Sequence, residues 1–280
     1  MKSTRLMFMI LALANFTCRV NSQLAKNIFL LGGQSNMFGV GGVVKNNWDG
    51  VIPPECKPNP AILKLDAKLQ RVEAKEPLHN DIDTNVTSGI GPGMPYENAI
   101  LKNDSRLGVL GLVPCAVSGS KITNWQKRTL LYNQLVRRAK AAVRGGGVIR
   151  AMHWYQGESD TVRKTDADAY RGRMQKFVTD LRNDLGIPKL LIIQVALASG
   201  GKHYTGIVRE AQLKLGLPNI ITVDAQGLPL QKDNLHLTTP SQVRLGGMLA
   251  AAFLRTLEIN KPKFKEIFQL SPQLVYNKKI

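Results

Sequence analysis

Three side chains in this sequence could together perform nucleophilic chemistry: Ser35, Asp233 and His236. A serine hydroxyl is a poor nucleophile at its own pKa, and a base near neutrality placed within reach contributes roughly 10² to 10⁴ in rate. Asp233 and His236 lie three residues apart in Asp-Asn-Leu-His, just ahead of a helical pattern. On a turn, that spacing lets the carboxylate hold one ring nitrogen while the other takes a proton from a hydroxyl. Taken alone, His236 reads equally as a surface histidine leading a helix, and Gly-Gln-Ser-Asn at 33–36 as a polar helix cap.

Two further polar stretches favour the chemical reading. In Val117-Ser118-Gly119-Ser120, Gly119 can present a backbone N–H to a developing oxyanion. In Trp154-Tyr-Gln-Gly-Glu-Ser-Asp160, Gln156 carries an amide donor suited to the same task. All four stretches fall at turns that a single sheet edge could gather, as acyl transfer to a serine requires.

The elements that must position them follow an alternating pattern. Short aliphatic runs at 27–31, 108–113, 148–155, 189–197 and 219–223 read as strands. Segments 129–143, 166–185, 206–215 and 241–257 repeat apolar residues every three or four positions and read as helices. Strand and helix in turn predict an α/β domain with a parallel sheet of roughly five strands. Ser35 then sits at the carboxyl end of the first strand. A dinucleotide turn there is disfavoured, because Gly32, Gly33, Gly39, Gly41 and Gly42 do not make G-x-G-x-x-G. Residues 40–106 break the alternation and read as a long excursion over the sheet's upper edge, with one short strand near 61–65.

Lys2 and Arg5 precede the apolar run at 6–14, well short of the roughly 20 residues a bilayer needs. Residues 1–22 therefore read as a signal peptide, 23–259 as the folded domain and 260–280 as a basic tail, with no stable membrane anchor once the leader is cleaved. The expected location is outside the cell or in a cell wall. Cys56 and Cys115 would remain as a disulfide or as two separate buried thiols, and Asn85 and Asn103 are glycosylation acceptors. With 38 basic against 20 acidic residues, the formal net charge of +18 implies attraction to polyanions. Nucleic acid is disfavoured by the leader and by the lack of a recognition motif. His79, His153 and His203 show no metal-ligand spacing with cysteine.

The stretches Phe29-Leu-Leu-Gly-Gly-Gln-Ser-Asn-Met37, Gly91-Pro-Gly93, 111–117, Trp154-Tyr-Gln-Gly-Glu-Ser-Asp160 and Asp233-Asn-Leu-His-Leu-Thr-Thr239 resemble the SGNH hydrolases of the carbohydrate-esterase branch. Similarity is greatest to the plant members of the sialate O-acetylesterase-like and acetylxylan esterase-like group. The resemblance implies a three-layer αβα, flavodoxin-like fold and a serine esterase that needs no cofactor and acts on acetylated polysaccharide or oligosaccharide; the leader adds secretion, and the basic charge points to acidic chains. Ser35 would be the nucleophile, His236 the base and then the acid, and Asp233 its orienting partner. The oxyanion would be held by the backbone N–H groups of Ser35 and Gly119 and by the Gln156 side chain, with Asn36 and Glu158 in support. Glu158 is expected to tie its loop down rather than to join the triad. Ser118 stands where plant relatives carry glycine, which puts the turn feeding Gly119 in question. The rival reading is a polysaccharide-binding protein that keeps the fold without turnover.

Overall fold

In the computed structural model, residues 27–200 and 203–259 are described. The expected leader at 1–22 and tail at 260–280 lie outside them.

The chain enters through β1 (Asn27–Gly33), whose seven residues are all buried. A strand hidden on both faces needs a continuous apolar run rather than alternation, and Ile-Phe-Leu-Leu supplies it. A one-turn helix, α1 (Ser35–Phe38), follows directly. The excursion then forms a small hairpin of β2 (Val43–Val44) and β3 (Asn47–Trp48), then β4 (Ile62–Leu65), β5 (Arg71–Glu73) and the helix α2 (Gly93–Asn103). Thereafter strands and helices alternate: β6 (Leu110–Pro114), α3 (Leu130–Ala142), β7 (Val148–Tyr155), α4 (Lys164–Leu185), β8 (Leu191–Ala196), α5 (Thr205–Leu213), β9 (Ile220–Asp224) and α6 (Thr239–Ile259).

The main sheet has the order β5-β4-β6-β1-β7-β8-β9. The five strands expected from the sequence are all present and parallel, and two more widen the sheet to seven. β4 pairs parallel to β6, and β5 closes that edge antiparallel. β5 is only Arg-Val-Glu, a polar edge strand with no hydrophobic signal to read. α2 was likewise hidden, because its opening Gly93-Met-Pro95 follows Gly91-Pro92 and reads as loop. Proline is tolerated in a first helical turn, where backbone N–H groups have no intrahelical acceptor.

Alternation along β7 divides the core into two layers. His153 faces α2 and α6, with its ring 4.1 Å from Tyr96, while Phe29 packs edge-on against Tyr96 at 5.2 Å and Phe253 at 5.0 Å. Trp154 faces the other way, 4.5 Å from Phe177 and 5.2 Å from Trp125. Helices α3, α4 and α5 cover that second face.

β1 lies between β6 and β7, and the chain builds outward from it on both sides. The turns after β6, β1 and β7 are therefore neighbours at the point where strand order reverses, which is where open α/β sheets hold their ligands. Gly33 makes the first of these turns possible. Its φ is +137°, and a Cβ there would stand 2.1 Å from the Tyr155 carbonyl oxygen. The same carbonyl accepts a hydrogen bond from the Gln34 N–H at 2.9 Å, so the two backbones touch.

Cys56 and Cys115 are separate buried thiols, the second of the two alternatives left open by the sequence. Among the described residues, no helix is long and apolar enough to cross a membrane.

Candidate active site

Ser35 begins α1 and is 3% exposed. Its Oγ lies 2.9 Å from His236 Nε2, and His236 Nδ1 lies 2.6 Å from Asp233 Oδ2. The other Asp233 oxygen accepts the backbone N–H groups of Leu235 (2.9 Å) and His236 (3.0 Å). Asp233 thus closes its own turn with one oxygen and engages the imidazole with the other. Partial burial pushes this carboxyl up, but the backbone donors and the His236 ring outweigh it and hold the group below the usual carboxylate range. An ionised Asp233 requires the proton on Nδ1, leaving the Nε2 lone pair to accept from the Ser35 hydroxyl.

The loop carrying His236 is fastened to the turn carrying Ser35 by Asn36. Its Nδ2 donates to the Leu235 carbonyl (3.3 Å), its Oδ1 accepts from the Leu237 N–H (2.9 Å), and its own carbonyl accepts from Gln242 Nε2 (3.1 Å). Ser199 Oγ adds a bond to the Leu235 carbonyl at 2.6 Å. The three Asn36 bonds each span about 200 residues of chain, so the serine–histidine distance is set by the fold and not by local flexibility. Asn36 was anticipated as support, whereas Ser199 and Gln242 carry no sequence signal beyond being polar.

Asn36 Nδ2 also donates to Glu158 Oε1 at 2.7 Å. Glu158 is buried, bonded to Asn36 and not to His236. Burial pushes its carboxyl up to about 7, against the pull of the Asn36 bond. Unfolded glutamate ionises near pH ~4.3. Between there and about pH 7 the folded chain binds more protons at this site than the unfolded chain does, so the stability Glu158 contributes falls as pH rises through that window. Glu158→Gln keeps an oxygen for Asn36 and cannot ionise. It is expected to lose less stability than wild type on going from acid to neutral pH in urea unfolding, with the Ser35–His236–Asp233 bonds left in place. Glu76, likewise raised by burial to about 8, is common to both proteins and cancels from the comparison.

Gly119 lies on the turn after β6 with φ +68° and open space where a Cβ would be. Its carbonyl accepts from Ser159 Oγ at 3.0 Å. Ser118 has no positive φ, and its N–H is anchored by Asp83 Oδ2 at 3.1 Å. The left-handed step falls on Gly119, so the Ser118 side chain does not disturb it.

Gln156 is fully buried and differs from the sequence expectation in its bonding. Its Nε2 donates to Asp160 Oδ2 at 2.6 Å and to the Ser120 carbonyl at 3.0 Å. Both partners are acceptors, so the atom facing them is the nitrogen, and its two hydrogens are taken. Asp160 also accepts from the Ile122 N–H (2.9 Å), and burial raises its carboxyl above the ordinary range. Gln156 is accordingly a brace between two turns in this structure.

His153 and His79 are buried and pushed down to about 3, chiefly by burial. They pack against Tyr96 and Phe38 respectively. Among the described residues, no group of three or more His, Cys, Asp or Glu could hold a metal ion. A cleft of about 600 Å³ opens beside Asp233, between the β2–β3 hairpin and residues 231–240. A smaller one of about 370 Å³, lined in part by Val117, Leu130 and Leu131, opens beside Gly119.

A mostly parallel sheet thus lies between two helical layers, with polar turns gathered at its reversal point. The model of the family "carbohydrate esterase, sialic acid-specific acetylesterase" matches residues 25–255, and the chain belongs to that family. It is 52% identical over 236 residues to the probable carbohydrate esterase At4g34215 of Arabidopsis thaliana, covering 81% of this chain and 90% of that one. The 1.6 Å X-ray structure of the Arabidopsis thaliana protein AT4G34215 aligns with a TM-score of 0.80 at 50% identity, over 82% of this chain and 98% of that one. NanS aligns with a TM-score of 0.69 at 16% identity, over 85% of this chain and 99% of its own. XAC1771, a carbohydrate acetylesterase from Xanthomonas citri, aligns at 0.59 with 20% identity, over 80% of this chain and 55% of that one. At the last two identities the likeness is one of fold.

Proposed function

We propose that the chain is a secreted serine esterase that hydrolyses O-acetyl esters of carbohydrate. The observation that carries this reading is the line of hydrogen bonds from Ser35 Oγ through His236 to Asp233. In the proposed reaction His236 Nε2 takes the Ser35 proton as Oγ attacks the acetyl carbonyl carbon. The backbone N–H groups of Ser35 and Gly119 hold the resulting oxyanion, and His236 returns the proton to the departing sugar oxygen. Water, activated by the same imidazole, then releases acetate and restores the serine. Gln156 has no place in this oxyanion hole, because its amide hydrogens are engaged by Asp160 and Ser120.

The proposed substrate is acetylated cell-wall polysaccharide, with acidic chains favoured by a net charge that is +18 for the whole sequence and +15 once Lys2, Arg5 and Arg19 leave with the leader. The cleft beside Asp233 is itself balanced, Lys45 and Lys232 facing Asp49 and Asp233, so any attraction is long-range. Acetate release should therefore be faster from acetylated pectin or glucuronoxylan than from neutral acetylated mannan at low salt, and the difference should shrink as salt is raised toward ~1 M, where the screening length is about 3 Å. Equal rates at all salt concentrations would remove the acidic preference, and no release from any acetylated glycan would remove the esterase.

A further inference from the structure

Gln34 immediately precedes Ser35, yet its side chain reaches the turn that follows β7. Its Oε1 lies 3.3 Å from each of three nitrogens: the backbone N–H groups of Gly157 and Ser159, and Gln156 Nε2. The two backbone N–H groups donate to it, while the Gln156 hydrogens go to Asp160 and Ser120, and together the three nitrogens decide which way round the amide sits, because a nitrogen there would meet only other N–H groups. The –NH₂ end therefore points away from that turn.

That end has no hydrogen-bond partner among the described residues, although Gln34 as a whole is only 2% exposed. Gln156 Oε1, Glu158 Oε2 and Asp160 Oδ1 are sealed from solvent without a partner, but Gln34 Nε2 is not among such atoms. The small part of Gln34 that stays open thus includes a free amide donor, fixed in orientation, one residue from the proposed nucleophile. Ser159, which holds Gln34 Oε1 through its N–H, also donates its hydroxyl to the Gly119 carbonyl. The Gly119 turn and the Gln34 amide consequently rest against the same short segment.

We propose that Gln34 is a catalytic residue whose Nε2–H donates to the ester carbonyl oxygen as it becomes an oxyanion, beside the backbone N–H groups of Ser35 and Gly119. In this arrangement Gln156 and Asp160 form the brace that orients it. An unpaired donor held in a nearly closed site needs no reorganisation when charge develops, which is where such donors contribute most. The inference rests on the serine-esterase reading and replaces its expected side-chain donor, Gln156, with a different residue.

The test is the steady-state hydrolysis of p-nitrophenyl acetate by wild type, Gln34→Met and Gln34→Glu. The methionine variant removes the donor without adding charge. The glutamate variant, assayed at a pH where its carboxyl is ionised, also removes it but keeps an oxygen for the Gly157 and Ser159 N–H groups, and the thermal midpoints of both variants report any loss of fold. Both should lose about 10² to 10³ in kcat with KM changed by no more than about threefold. Affinity for a boronic acid that forms a tetrahedral adduct on Ser35 should fall by a similar factor, a loss that a purely structural role would not produce. An active wild type with both variants within about threefold of it in kcat would overturn this inference alone. A wild type inactive on every acetyl ester would overturn the esterase reading and this inference with it.

Discussion

Ser35→Ala is expected to lower acetate release by about 10⁴-fold or more, with the fold intact. The Ser35 hydroxyl is the atom that His236 Nε2 meets at 2.9 Å, and its removal leaves the imidazole with a proton acceptor but nothing to deprotonate. Alanine suits the first position of α1, and the bonds that shape this region belong to Gln34 and Asn36 rather than to the serine side chain. The midpoint of urea unfolding should therefore move by no more than about 1 kcal/mol in equivalent stability. The comparison is best made on an acetylated glycan and on p-nitrophenyl acetate, with released acetate measured directly. Undiminished release by the variant would move the nucleophile elsewhere and leave the Ser35–His236 contact without a role.

The parts of this arrangement that could be read from the sequence share one property: their signal is local. A continuous apolar run ending in Gly-Gly-Gln-Ser implies a buried strand and a tight turn, and Asp233 and His236 are close enough in sequence to meet on one turn. Parallel strands place the turns after β1, β6 and β7 on one edge of the sheet, but their adjacency rests on the strand order, a long-range fact. β4 was visible at Ile62–Leu65, but its buried Lys64 obscures the pattern. That ammonium is satisfied only in three dimensions, by the Leu78 carbonyl, Asn80 and Asp81. Side-chain bonding was least legible. Gln156 and Gln34 are both glutamines in motif-like stretches, and only the positions of Asp160, Ser120, Gly157 and Ser159 around them show which has a free donor.

Asp233→Asn should lower kcat at neutral pH by roughly 10³ to 10⁴, and by more than Asp233→Ala does, despite being the gentler change in shape. The reason lies in the second oxygen. Asp233 Oδ1 accepts two backbone N–H groups, from Leu235 and His236, and an asparagine must keep its oxygen there or face two donors with its own –NH₂. Its nitrogen is then turned toward His236 Nδ1. That ring atom must accept, the imidazole proton moves to Nε2, and a hydrogen now faces the Ser35 hydroxyl where a lone pair is needed. Alanine imposes no such tautomer, since water can reach the ring, but it abandons both backbone bonds and should unfold at lower urea than the asparagine variant. The opposite ranking of catalytic and stability losses separates tautomer control from general damage. Glu158 supplies the counter-test. If Glu158 were the partner that orients His236, Glu158→Gln would carry the large loss and Asp233→Asn would be nearly neutral. The 2.6 Å contact between His236 Nδ1 and Asp233, set against a Glu158 carboxyl bonded to Asn36, predicts the reverse.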